Sequence, residues 1–177
     1  MNNGWKDVAA RLGRLAVREA PRLFRQIRQS GAATPTRTPQ SSRRPGPRTT
    51  PATAAARHLV YAPQPDGRAD PGEIVWTWVA YEDDPARGKD RPVLVVGRES
   101  ERTLLALMLS SQHDRDGQPN WYGLGPGAWD RESRPSWIRL DRVLQVAEDG
   151  VRREGAVLDR SRFEAVAKQL RSGYGWT

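Results

Sequence analysis

The chain has 177 residues, no cysteine and a formal net charge of +8. Lack of cysteine excludes disulfide frameworks and thiolate metal sites and fits a reducing, cytoplasmic setting, and no apolar run reaches the ~18 residues of a membrane span. The charge is lopsided: residues 1–57 hold 12 Lys and Arg against 2 Asp and Glu, which is +10, while residues 58–177 hold 17 against 19, which is −2.

Residues 1–29 are read as a basic amphipathic helix. Trp5, Val8, Ala9, Leu12, Leu15 and Ala16 follow helical three-four spacing, and Arg11, Arg14, Arg18, Arg22, Arg25 and Arg28 fill much of the remainder. Pro21 ends or kinks it. Such an arm is either a weakly ordered extension or a docking element for DNA, an acidic partner or an anionic membrane surface. Residues 30–57 are rich in Pro, Thr, Ser, Ala and Arg and poor in large apolar side chains, so a disordered linker is expected there.

The text changes at about residue 58, where a third domain, 58–177, begins. Ile74–Val79 mixes β-branched residues with Trp76 and Trp78, a strand signal with both faces largely covered. Residues 81–90 form a polar loop carrying Glu82, Asp83 and Asp84. Val93–Val96 reads as a short buried strand and Thr103–Ser111 as a longer, central one. Residues 113–135, with Gly117, Pro119, Gly123, Gly125, Pro126, Gly127 and Pro135, read as a long loop. Trp137–Leu140 and Val143–Val146 are further strands. A helix spans about 160–171: Asp159 is its N-cap, Leu158 and Phe163 have staple spacing, and Phe163, Val166, Ala167 and Leu170 form its apolar stripe. Short strands closed by one helix predict a mainly β, α+β domain with a small curled sheet or barrel.

The order of these motifs resembles the MazF/PemK family of toxin ribonucleases. Gly72-Glu73-Ile74-Val75-Trp76 is similar to the family's opening Gly-Asp-Ile-Val-Trp strand. Arg91-Pro92-Val93-Leu94-Val95 is similar to its Arg-Pro-x-Leu-Val strand, and Leu109-Ser110-Ser111 to its hydroxyl-ended strand. Ser136-Trp137-Ile138 and the final helix come in the family's order. The resemblance covers roughly residues 71–171 and implies an SH3-like barrel, a homodimer, metal-independent and cofactor-free cleavage of single-stranded RNA, and a cognate antitoxin that masks the RNA groove.

By position, the resemblance makes Arg91 the catalytic arginine and Ser110 the catalytic hydroxyl, where the family has threonine. Serine keeps the hydroxyl but loses the methyl that restricts the rotamer. An arginine fork can hold two phosphoryl oxygens as charge develops, and a neighbouring hydroxyl can position the phosphate or relay a proton. Taken without the resemblance, Arg91 reads as a surface charge capping its strand sooner than as a catalytic group, and Ser110 and Ser111 can merely end the strand that follows. Further candidates for catalysis or RNA contact are Ser111, Gln112, His113, Arg87, Lys89, Trp121 and Tyr122. His113 has an imidazole suited to proton transfer. Arg87 and Lys89 would offset the acidic loop, and Trp121 and Tyr122 could stack on bases or pack. Trp129 is read as packing. Asp114 and Asp116 alone do not make a metal site. The competing reading is a non-catalytic nucleic-acid- or protein-binding module on the same barrel, with the basic arm supplying affinity.

Overall fold

The computed structural model describes residues 46–64 and 66–177, with the backbone alone for 153–155. The expected helix of residues 1–29 lies outside these residues. The described chain forms eight strands, β1 (Arg48–Pro51), β2 (Glu73–Ala80), β3 (Gly88–Ser100), β4 (Thr103–Ser110), β5 (Trp121–Gly125), β6 (Ser136–Arg139), β7 (Arg142–Ala147) and β8 (Val151–Val157), followed by α1 (Arg160–Tyr174). All pairings are antiparallel, in the order β1-β7-β4-β3-β2-β8, and β6 pairs with both β4 and β5. The class is therefore the expected α+β, mainly β with one C-terminal helix.

Because side chains alternate along a strand, the sheet carries apolar residues on both faces. Ile74, Leu94, Val96, Leu105, Leu107, Leu109 and Ile138 share a core with Phe163, Val166, Ala167 and Leu170 of α1. Val75, Val79, Val93, Val95, Leu104, Ala106, Leu144 and Val146 form a second cluster on the opposite face. This explains why the strands read as nearly continuous apolar runs. Register shifts between Ile74 and Trp76, Val95 and Gly97, and Arg98 and Ser100 are bulges, which bend and twist a sheet.

Helix α1 is fixed at both ends. Asp159 accepts from the Arg162 N–H at 3.0 Å, and Gly175 closes the helix in the left-handed region at φ 75°. Leu158 and Phe163 are both buried, as the staple spacing predicts. Trp176 then packs under β1, its indole N–H donating to the Ala52 carbonyl at 3.0 Å.

Four elements differ from expectation. Residues 48–57 fall in the stretch expected to be linker, yet β1 pairs with β7 and Ala52 and Ala55 are buried in the core. β5 lies inside the stretch expected to be loop, and β8 has a charged sequence that gives no strand signal. β3 extends to 13 residues, because Gly88-Lys89-Asp90-Arg91 pairs with β2 despite its polarity.

Candidate active site

A divergence of strands makes the site. The β3–β4 ladder ends at Val93↔Met108. Beyond it β3 continues paired to β2, with Thr77 opposite Arg91, whereas β4 turns to pair with β6, with Ser110 opposite Trp137. Pro92 stands one residue outside the last β3–β4 pair, where a missing N–H costs no bond to β4. Continuing the old register by two residues sets Arg91 across the opened wedge from Ser110. Both residues line one cavity of about 290 Å³ on the sheet face away from α1.

The cavity floor is apolar, from Val79, Met108 and Leu144. Its walls hold Arg91, Arg115, Arg139 and Arg142, with Glu82 and Asp83 at the loop side. Arg139 bonds Asp141 at 2.8 Å and also pairs with Glu82, while Arg142 lies 3.4 Å from the other Glu82 oxygen. Arg115 donates to Gln118 at 3.1 Å and to Gln112 at 3.3 Å, and its buried Nε–H has no acceptor among the described residues. Arg91 is half-buried, and its guanidinium has neither a hydrogen bond nor an ion pair among the described residues. Burial lowers its guanidinium below the ordinary value, Tyr81 opposes this, and the Arg115 charge adds to it. An arginine stays protonated through such a shift, so Arg91 presents an uncompensated cation to the cavity.

Ser110 is buried at 5 % exposure. Its Oγ accepts the Gln112 N–H at 3.3 Å and stands 3.5 Å from Gln112 Oε1, so the hydroxyl is held by its own turn. Trp121 borders the same cavity opposite Arg139 in the β5–β6 ladder, with the Arg115 and Arg139 guanidinium carbons 5.1 Å and 5.9 Å from its ring centroid.

Of the sequence-derived candidates, Arg91, Ser110, Gln112 and Trp121 line this cavity. Lys89 lies outside the lining. Its ammonium is nevertheless lowered by the charge of Arg91, by partial burial and by Arg134, which puts it in the same basic neighbourhood. Ser111 and His113 are not in the lining; His113 packs edge-on to Trp137 at 5.2 Å. Tyr122 packs against the α1-side core, and Trp129 is buried, its indole donating to Ser136 at 3.1 Å. Arg87 stacks 6.0 Å from the Tyr81 ring and borders a different cavity. The acidic loop is balanced otherwise than expected, because Glu82 is met by Arg139 and Arg142 and not by Arg87 and Lys89. Asp116 accepts from the Trp137 indole at 3.2 Å, and Asp114 lies 3.8 Å from Arg115. The reading of the sequence missed Arg115, Arg139 and Arg142. An arginine in the otherwise apolar Trp137–Leu140 run was the available signal for Arg139.

Residues 70–173 match a family model described as PemK-like, MazF-like toxin of type II toxin-antitoxin system. The chain belongs to that family. The match begins just before β2 and ends within α1, so it takes in both strands that carry Arg91 and Ser110. No curated protein matches the chain significantly. Membership in a type II family makes the chain a toxin-antitoxin toxin of a kind typically endoribonucleolytic, with a protein antitoxin as the implied partner. No helix among the described residues is long and apolar enough to cross a membrane.

Proposed function

We propose that the chain is an endoribonuclease toxin that cuts single-stranded RNA by attack of a ribose 2′-OH on its own phosphate. The observation that carries this reading is the unpaired, half-buried Arg91 guanidinium in a cavity it shares with Ser110 and Trp121. In the reaction the 2′ oxygen bonds to phosphorus and the bond from phosphorus to the 5′ oxygen breaks. The products are a 2′,3′-cyclic phosphate and a 5′-hydroxyl, with a net proton passing from the 2′ to the 5′ oxygen. Arg91 binds the non-bridging oxygens as negative charge grows on them, a role that contributes about 3–4 kcal/mol for one well-placed donor. Ser110, once turned from Gln112, positions the phosphate or relays the proton. The barrel is of the SH3-like kind, the working unit is a homodimer acting in the cytoplasm, and the reaction uses no metal.

A second reading, binding without turnover, draws support from one feature: the Ser110 hydroxyl is already engaged by Gln112. Incubation of the full chain with single-stranded RNA in excess chelator, followed by end-group analysis, separates the two. Cyclic-phosphate and 5′-hydroxyl ends support the nuclease. Intact RNA, or cleavage leaving 5′-phosphates, overturns it.

A further inference from the structure

A second, larger cavity of about 840 Å³ is lined by residues from β1, β2, β7 and the loop after β2. It meets the Arg91 cavity at Tyr81, which lines both. Trp78 borders it with 38 % of its surface exposed, one of the few large apolar side chains left open to solvent. That ring is held in place by glycines. A Cβ on Gly46 would come within 2.7 Å of the indole, and one on Gly88 within 2.6 Å of it and 2.4 Å of the Val79 carbonyl. A half-open aromatic plate, packed closely against these two glycines, thus borders the groove.

Two cations flank the plate. Arg48 and Arg87 line the groove, and neither has an ion-pair partner among the described residues; Arg87 lies over the Tyr81 ring. Asp149 also lines the groove. Aromatic rings beside guanidiniums that lack ion-pair partners among the described residues, in a groove that shares Tyr81 with the Arg91 cavity, match the chemistry of a single nucleic-acid strand: bases stack, phosphates pair.

We infer that this groove binds the single-stranded RNA flanking the scissile phosphate, with Tyr81 and Trp78 as stacking surfaces and Arg48 and Arg87 as phosphate contacts. The inference deepens the proposed nuclease reading and rests on it for the identity of the strand.

The test uses the full chain and non-cleavable 2′-O-methyl oligonucleotides of about four and about twelve nucleotides, which span the usual range of single-strand sites. The double variant Arg48→Gln, Arg87→Gln loses roughly tenfold more affinity for the longer probe than for the shorter, and its salt slope for the longer falls by about 1.4, two phosphates' worth. Photocrosslinking of wild type with 5-iodouridine placed away from the scissile position reads the same claim without a variant, and is expected to label Trp78 or Tyr81. Equal losses on both lengths, or crosslinks confined to Trp121, overturn the inference. So does a double variant that keeps long-probe affinity but loses a poly-glutamate peptide, which assigns the groove to an acidic protein. If wild type cleaves no RNA yet the length-dependent loss holds, the nuclease reading fails and the groove stands. Cleavage without that loss has the opposite meaning.

Discussion

Replacing Glu82 with glutamine removes one of the two carboxylates, the other being Asp141, that join Arg139 and Arg142 at the mouth of the candidate active site. Glu82 is about half exposed, so each pair contributes only ~0.2–1 kcal/mol to stability. Arg139 keeps Asp141, the principal cause of its raised pKa, and the fold therefore loses little. The larger consequence is for binding. If RNA binds as proposed, a phosphate that reaches Arg139 and Arg142 has to displace the Glu82 carboxylate from them. Sparing that displacement returns ~1 kcal/mol, about a fivefold decrease in Kd, and leaves the two guanidiniums paired with Asp141, so that the salt dependence steepens by ~0.7 for each phosphate gained. Fluorescence anisotropy with a labelled 2′-O-methyl oligonucleotide across a salt series measures both quantities. Weaker binding in Glu82→Gln, with thermal stability intact, would refute the competition between loop and ligand.

Other perturbations follow from the same structure. Ser110→Ala should cut the cleavage rate, read from single-turnover kinetics, while Ser110→Thr should at least preserve it, since threonine keeps the hydroxyl with a narrower rotamer choice. Glu148 is held at a pKa of about 2 by hydrogen bonds from Arg98 and then Arg68. Its folded pKa lies below its unfolded one, so its stabilisation is present above pH ~4.5 and is lost as pH falls toward 2. Partial solvent screening trims the value to ~1–2 kcal/mol, and Glu148→Gln should flatten that stretch of an acid-unfolding curve. Phe163→Ala empties a fully buried site against Tyr61, 5.2 Å away, and should cost ~3–5 kcal/mol in denaturant unfolding.

How far the sequence revealed this depended on whether the information was local. The N-cap at Asp159, the staple of Leu158 with Phe163, and the apolar stripe of α1 are contained within a dozen residues, and all three are present. The central strands were legible because both their faces are apolar. β1 was not, since Arg48-Thr49-Thr50-Pro51 has strand character only through its pairing with β7. Trp121–Gly125 was hidden by glycines that permit the bulge between Gly123 and Gly125. At the site, the resemblance to the MazF/PemK family singled out Arg91 and Ser110, and a diverging ladder brings them to one cavity. Arg115, Arg139 and Arg142 come from separate elements, and only the folded sheet brings them together. The pairing of Glu82 with the last two is equally non-local, which is why the balancing charges were sought in its own loop.

The central claim is that the unpaired Arg91 guanidinium stabilises charge on a scissile phosphate. Its most direct measurement is the single-turnover cleavage rate of one RNA by wild type and Arg91→Ala, both in excess chelator and both shown to be folded by their melting curves. The account predicts a rate about a hundredfold to a thousandfold lower in the variant. Equal rates in the two proteins would contradict it.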